Sequence, residues 1–105
     1  MKVYLPSTDR TVHVKFHHER HEDTIEEKNG YRFAKEDTYT ECILSLPMGG
    51  SDLQLVGRAY LNPVDQFCGE TGRRKSLDRV LMLARDFKDI TSKEEREIWV
   101  GYFSR

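Results

Sequence analysis

Residues 38–61 read Thr38-Tyr39-Thr40-Glu41-Cys42-Ile43-Leu44-Ser45-Leu46-Pro47-Met48-Gly49-Gly50-Ser51-Asp52-Leu53-Gln54-Leu55-Val56-Gly57-Arg58-Ala59-Tyr60-Leu61. In 38–46, the residues Thr40, Cys42, Leu44 and Leu46 fall at every second position, which places them on one face of a strand. The run Pro47 to Asp52 has turn composition. Residues 53–61 alternate again, with Leu53, Leu55, Gly57, Ala59 and Leu61 on one face and Gln54, Val56, Arg58 and Tyr60 on the other. Together they predict an antiparallel hairpin with one wet face. Gly57 and Ala59 are small and lie on the apolar face. Something bulky must cross them, and the helix that follows in sequence is the natural element.

Moving toward the N-terminus, Val12, Val14 and Phe16 alternate with His13, Lys15 and His17, so residues 11–19 predict a half-buried strand. Met1–Leu5 predicts a short edge strand stopped by Pro6. Between Glu19 and Glu41 eight acids face four bases. Asn29-Gly30 is a hairpin signal if Ile25 and Phe33 lie on two strands, with a long acidic loop as the alternative.

Moving toward the C-terminus, Asn62-Pro63 predicts a short helical turn ended by Gly69. A longer helix is expected from Thr71 or Gly72 to about Lys88. Its stripe is Leu77, Val80, Leu81, Ala84 and Phe87, widened by Leu83, with Met82 on the far side. Ser92 with Glu95 reads as a capping box that opens a last helix, whose apolar face is Ile98, Trp99, Tyr102 and Phe103. The expected fold is α+β: a small antiparallel sheet of three to five strands over residues 1–62, then two helices over 63–105 packed on one face, all in a single domain.

The chain has 105 residues, with 17 Lys and Arg against 18 Asp and Glu, which is too small for two independent cores and too balanced for bulk nucleic-acid binding. No apolar run approaches a membrane span. The first residues lack a secretory h-region, so a cytoplasmic location is expected. Cys42 and Cys68 have no CxxC spacing and read as free, buried thiols.

The balance hides a local asymmetry: residues 19–41 carry −4 and residues 70–85 carry +3. The basic run Gly69-Glu70-Thr71-Gly72-Arg73-Arg74-Lys75-Ser76 enters a helix, where free N–H groups and the dipole favour anions. Gly72, Arg73, Arg74, Lys75 and Arg79 are therefore candidates for a phosphate-bearing ligand, either a nucleotide or a nucleic acid. The plainer reading is a solvated helix start with ion pairs such as Arg74–Asp78. Spacing rejects a Walker A loop, and Lys75 stands where a KH loop wants an apolar residue. In the acidic run, Glu22, Asp23, Glu26 and Glu27 are candidates for contact with a protein partner. His13, His17, His18 and His21 form a metal-like cluster, but His13 and His17 lie about 13 Å apart along a strand. No metal, no cofactor and no catalytic constellation is expected.

From Gly57 the chain reads Gly57-Arg58-Ala59, then Pro63-Val64-Asp65-Gln66-Phe67, Gly72-Arg73, and Ser76-Leu77 with Arg79 and Leu81. Over residues 38–85 this resembles small accessory proteins of bacteriophages and prophages, which carry Gly-x-Ala, Pro-x-Asp-x-Phe, Gly-Arg and Ala-Leu-x-Arg-x-Leu in that order. Ser76 stands where that pattern has Ala, and the tail from Asp89 has no counterpart. The resemblance implies a phage accessory protein, not a structural component of the particle, and no known activity. Since small non-enzymatic phage proteins commonly act by binding, the expected function is to bind and inhibit a bacterial host or defence protein. The alternative is a phosphate-ligand binder at residues 72–79. A homodimer remains open.

Overall fold

The computed structural model describes residues 1–19, 39–60 and 68–105 in full, and 25–28 and 31–34 as backbone. The strands are β1 (Lys2–Leu5), β2 (Arg10–Glu19), β3 (Ile25–Lys28), β4 (Tyr31–Ala34), β5 (Tyr39–Met48) and β6 (Ser51–Tyr60). The helices α1 (Gly69–Asp86) and α2 (Ser92–Phe103) follow. The fold is α+β, with a four-stranded antiparallel sheet in the order β1-β2-β5-β6 and both helices after it. β3 and β4 form a separate antiparallel pair inserted between β2 and β5.

The decisive hairpin is tighter than its turn composition predicts. Only Gly49 and Gly50 connect β5 to β6, both at positive φ (55° and 105°). Pro47 stays in the strand because the β2–β5 ladder stops at Ser45, so its missing N–H removes no bond on that side. Thr40, Cys42, Leu44 and Leu46 are buried as their alternation requires. They join Val3, Leu5, Val12 and Val14 from the first two strands, and Leu77, Val80, Leu81, Ala84, Ile98 and Tyr102 from the helices. The core lies wholly between one face of the sheet and the two helices. On the other face His13, Lys15 and His17 are exposed, as are Gln54, Val56, Arg58 and Tyr60.

The small residues of β6 serve the predicted purpose. A Cβ at Gly57 would lie 2.6 Å from the Val80 nitrogen and 2.7 Å from the Ser76 carbonyl oxygen, so the α1 backbone rests on this position. α2 uses the same device, since a Cβ at Gly101 would lie 2.7 Å from Val3 Cγ1.

Four local expectations are corrected. Gly69 opens α1 rather than closing a preceding turn. The segment 61–67, including Asn62-Pro63, lies outside the described residues. Phe87 is not on the buried stripe: it is the C-cap and 65% exposed. Lys88 turns left-handed (φ 60°), Lys88 N–H bonds to the Arg85 carbonyl and Asp89 N–H to the Ala84 carbonyl, which is the Schellman ending that carries the chain away. The α2 capping box is Thr91 with Glu94, one residue before the predicted pair. Of the predicted apolar face of α2, Phe103 is exposed.

Candidate functional site

Two of the basic candidates, Arg73 and Arg74, converge near the start of α1, against the end of α2. Glu70, a residue the sequence reading did not single out, organises them. Its carboxylate accepts from Arg73 Nη2 at 2.8 Å, Arg74 Nε at 3.0 Å, Arg105 Nη2 at 3.3 Å and the Tyr102 hydroxyl at 2.9 Å. The bond from Arg73, then that from Tyr102, hold the Glu70 carboxyl down at about 2. Arg105 stacks over the Tyr102 ring at 3.8 Å, and Arg74 lies over Phe103 at 5.1 Å. Trp99 stacks on Phe103, and Phe16 from β2 meets Tyr102 edge-on. The expected Arg74–Asp78 pair is replaced by Arg74–Glu70.

The other phosphate candidates hold different places. Gly72 packs on Thr40, whose hydroxyl would collide with any Cβ there, so this glycine admits a β5 side chain rather than a ligand. Arg79 donates to the backbone carbonyl of Arg58 on β6. Lys75 is exposed. The arrangement leaves three guanidinium groups around one carboxylate. Arg73 Nε is buried and lacks a hydrogen-bond partner among the described residues. The i, i+3 and i, i+4 spacing of Glu70 with Arg73 and Arg74 was readable from the sequence. The parts played by Tyr102 and Arg105 were not, because they come from an element about 30 residues away.

Of the acidic candidates, Glu26 and Glu27 lie on β3, opposite Phe33 and Arg32 of β4. Glu22 and Asp23 lie outside the described residues. β3 and β4, which hold Ile25 and Phe33, pair antiparallel as the hairpin expectation requires, while Asn29 and Gly30 lie outside the described residues.

The histidines do not gather. His13 and His17 lie on the open sheet face, and His17 meets Glu19 at 2.7 Å. His18 lies on the opposite face with Nδ1 2.8 Å from Thr40 Oγ1. Burial first, then the charge of Arg73, keeps the His18 pKa below its usual value. His21 is outside the described residues. Among the described residues no three His, Cys, Asp or Glu side chains come together as metal ligands.

The two thiols differ, which corrects the expectation that both are buried. Cys42 is in the core, and burial pushes its pKa to about 12. Cys68 is exposed and is the α1 N-cap; its thiol makes no full capping bond, yet the Thr71 hydroxyl, and then the Thr71 N–H, favour its thiolate and lower its pKa. Iodoacetamide at neutral pH is therefore expected to modify Cys68 in the folded protein and Cys42 only after unfolding. Peptide mass mapping reads both, and native labelling of Cys42 would contradict this assignment.

Among the described residues no helix is long and apolar enough to cross a membrane. Comparison with family models, with curated proteins and with solved structures gives no match.

Proposed function

We propose that the protein is a non-enzymatic, phage-type accessory protein of the bacterial cytoplasm that binds and inhibits a host or defence protein. The acidic segment around β3 and β4 is the contact arm. One observation carries this reading: β3 and β4 pack on each other, and neither packs extensively on another element among the described residues. A two-stranded hairpin alone is marginal in water, so a segment of this kind gains most by meeting a partner surface. Residues 19–41 together carry −4, although the β3–β4 hairpin itself (25–34) is neutral, so the acids that favour a basic partner, such as the nucleic-acid groove of a nuclease, include Glu22 and Asp23 ahead of β3.

The alternative, a phosphate-bearing ligand at residues 72–79, has less support. Glu70 already occupies donors of Arg73 and Arg74, and Gly72 is spent on packing. Its remaining support is the excess of guanidinium over carboxylate around Glu70.

The test replaces Glu22, Asp23, Glu26 and Glu27 with Lys and compares capture of bacterial proteins by the wild-type and variant chains. The wild type should retain a basic protein that salt releases and that the variant loses, while the two chains melt at similar temperatures. Equal retention of that protein by both chains would overturn the acidic-arm reading. Loss of retention on Arg73→Glu with Arg74→Glu, and not on the Lys replacements, would move the function to the helix start.

A further inference from the structure

The two edges of the sheet are not alike. β1 is four residues long and is followed by Pro6. β6 is ten residues long and contains neither Pro nor Lys, the residues that commonly blunt an edge. Its backbone orientation follows from two observations. The Arg79 side chain reaches the Arg58 carbonyl, so that carbonyl points away from β5. Asp52 lies opposite Pro47, which has no N–H to give it. By the period of two, the N–H and C=O groups of Asp52, Gln54, Val56, Arg58 and Tyr60 all point outward along the edge.

We infer that β6 pairs antiparallel with β6 of a second copy about a two-fold axis at Leu55, joining two four-stranded sheets into one of eight. A two-fold pairing must oppose outward-pointing residues to outward-pointing residues, which leaves axes at Gln54, Leu55 or Val56 as the central choices. The axis at Leu55 sets Asp52 against Arg58 of the second copy, and Arg58 against its Asp52. These are opposite-charge cross-strand pairs, made twice by symmetry. The axes at Gln54 and Val56 set Asp52 against Val56 or Tyr60 instead. On the helix side, half-buried Leu55 meets its own counterpart.

The same axis is consistent with α1. Gly57 rests between Ser76 and Val80. Two strand residues further, at Leu55, corresponds to about four to five helix residues, near Met82 and Leu83. Around that point Arg79 opposes Asp86 of the second copy, and Met82, 45% exposed, faces Leu83. Arg79, Met82 and Asp86 share one exposed helix stripe, and Arg79 shows that this stripe borders the β6 edge. On pairing, Arg79 exchanges the Arg58 carbonyl for a carboxylate.

Sedimentation equilibrium over a range of concentrations tests this. The wild type should form a dimer. Asp52→Lys, which places like charges at both symmetric pairs, should weaken it about tenfold. Val56→Pro removes an outward N–H without touching the β5–β6 ladder, and should give a folded monomer. A wild type that stays monomeric throughout overturns the inference, and so does a dimer that Val56→Pro leaves intact. A chain that is monomeric alone but accepts a strand from a different protein along β6 would also overturn it.

Discussion

Gly57→Ala is expected to destabilise the fold by about 3 kcal/mol, the upper part of the range for overpacking. In an ordinary strand the same change is mildly favourable, because alanine gives up less backbone freedom on folding. Here the added methyl meets the Val80 nitrogen at 2.6 Å and the Ser76 carbonyl oxygen at 2.7 Å. Both are backbone atoms of α1, so no side-chain rotation makes room. The helix must lift from the sheet and loosen the contacts of Leu77, Val80, Leu81 and Ala84, all fully buried. Urea unfolding measures the change as a lower midpoint with little change in slope. A midpoint equal to that of the wild type would show that α1 does not rest on β6 at this point.

Glu94→Ala carries a comparable cost for a different reason. Glu94 is 2% exposed and receives Arg10 Nε at 2.7 Å, Arg10 Nη2 at 3.2 Å and the Thr8 hydroxyl at 2.7 Å. It also closes the capping box, taking the Thr91 N–H at 3.0 Å and giving its own N–H to Thr91 Oγ1 at 3.1 Å. Removing one partner of a buried pair strands the other, and the expected loss is roughly 3 kcal/mol, part of it from the cap. Burial alone would raise the Glu94 pKa; the bonds from Arg10 and Thr8 outweigh it and hold the carboxyl below its usual 4.5. Because the folded pKa lies below the unfolded one, this stabilisation is complete above about 4.5 and is lost as the pH falls through the folded value. Glu94→Gln should therefore melt lower than the wild type at pH 7, and the gap should narrow in acid. A gap that stays constant with pH would show that the charge of Glu94 contributes nothing.

The four strands of the main sheet were legible because one face of that sheet is buried against the helices. Thr40, Cys42, Leu44 and Leu46 read as an inward row and are one. The step from Gly57 to a crossing helix was also legible, since small residues at consecutive inward positions leave a volume that something must fill. The helix boundaries were not. Gly69 and Gly72 read locally as punctuation, but Gly72 is inside α1 because Thr40 leaves no room for a side chain there. Two overlapping capping boxes begin at Thr91 and Ser92, and the choice between them lies with Arg10 and Thr8, more than 80 residues away. The basic cluster was found by composition, but the carboxylate at its centre was not, because two of its four donors, Tyr102 and Arg105, reach it only once α2 is docked.

The clasp between α2 and the first hairpin bears on the lifetime of the folded chain. Glu94 meets Thr8 and Arg10, Glu97 takes the Ser7 N–H at 3.1 Å, and Arg10 reaches the Asp89 carbonyl at 2.7 Å. These bonds join the first strands to the last helix, whereas β5, β6 and α1 follow one another and pack as neighbours. Contacts closed over short loops form early, and those that span nearly the whole chain form late. Bonds absent from the folding transition state leave the folding rate almost unchanged and govern how fast the native state opens. The clasp is therefore expected to slow the opening of the native state rather than to speed its formation.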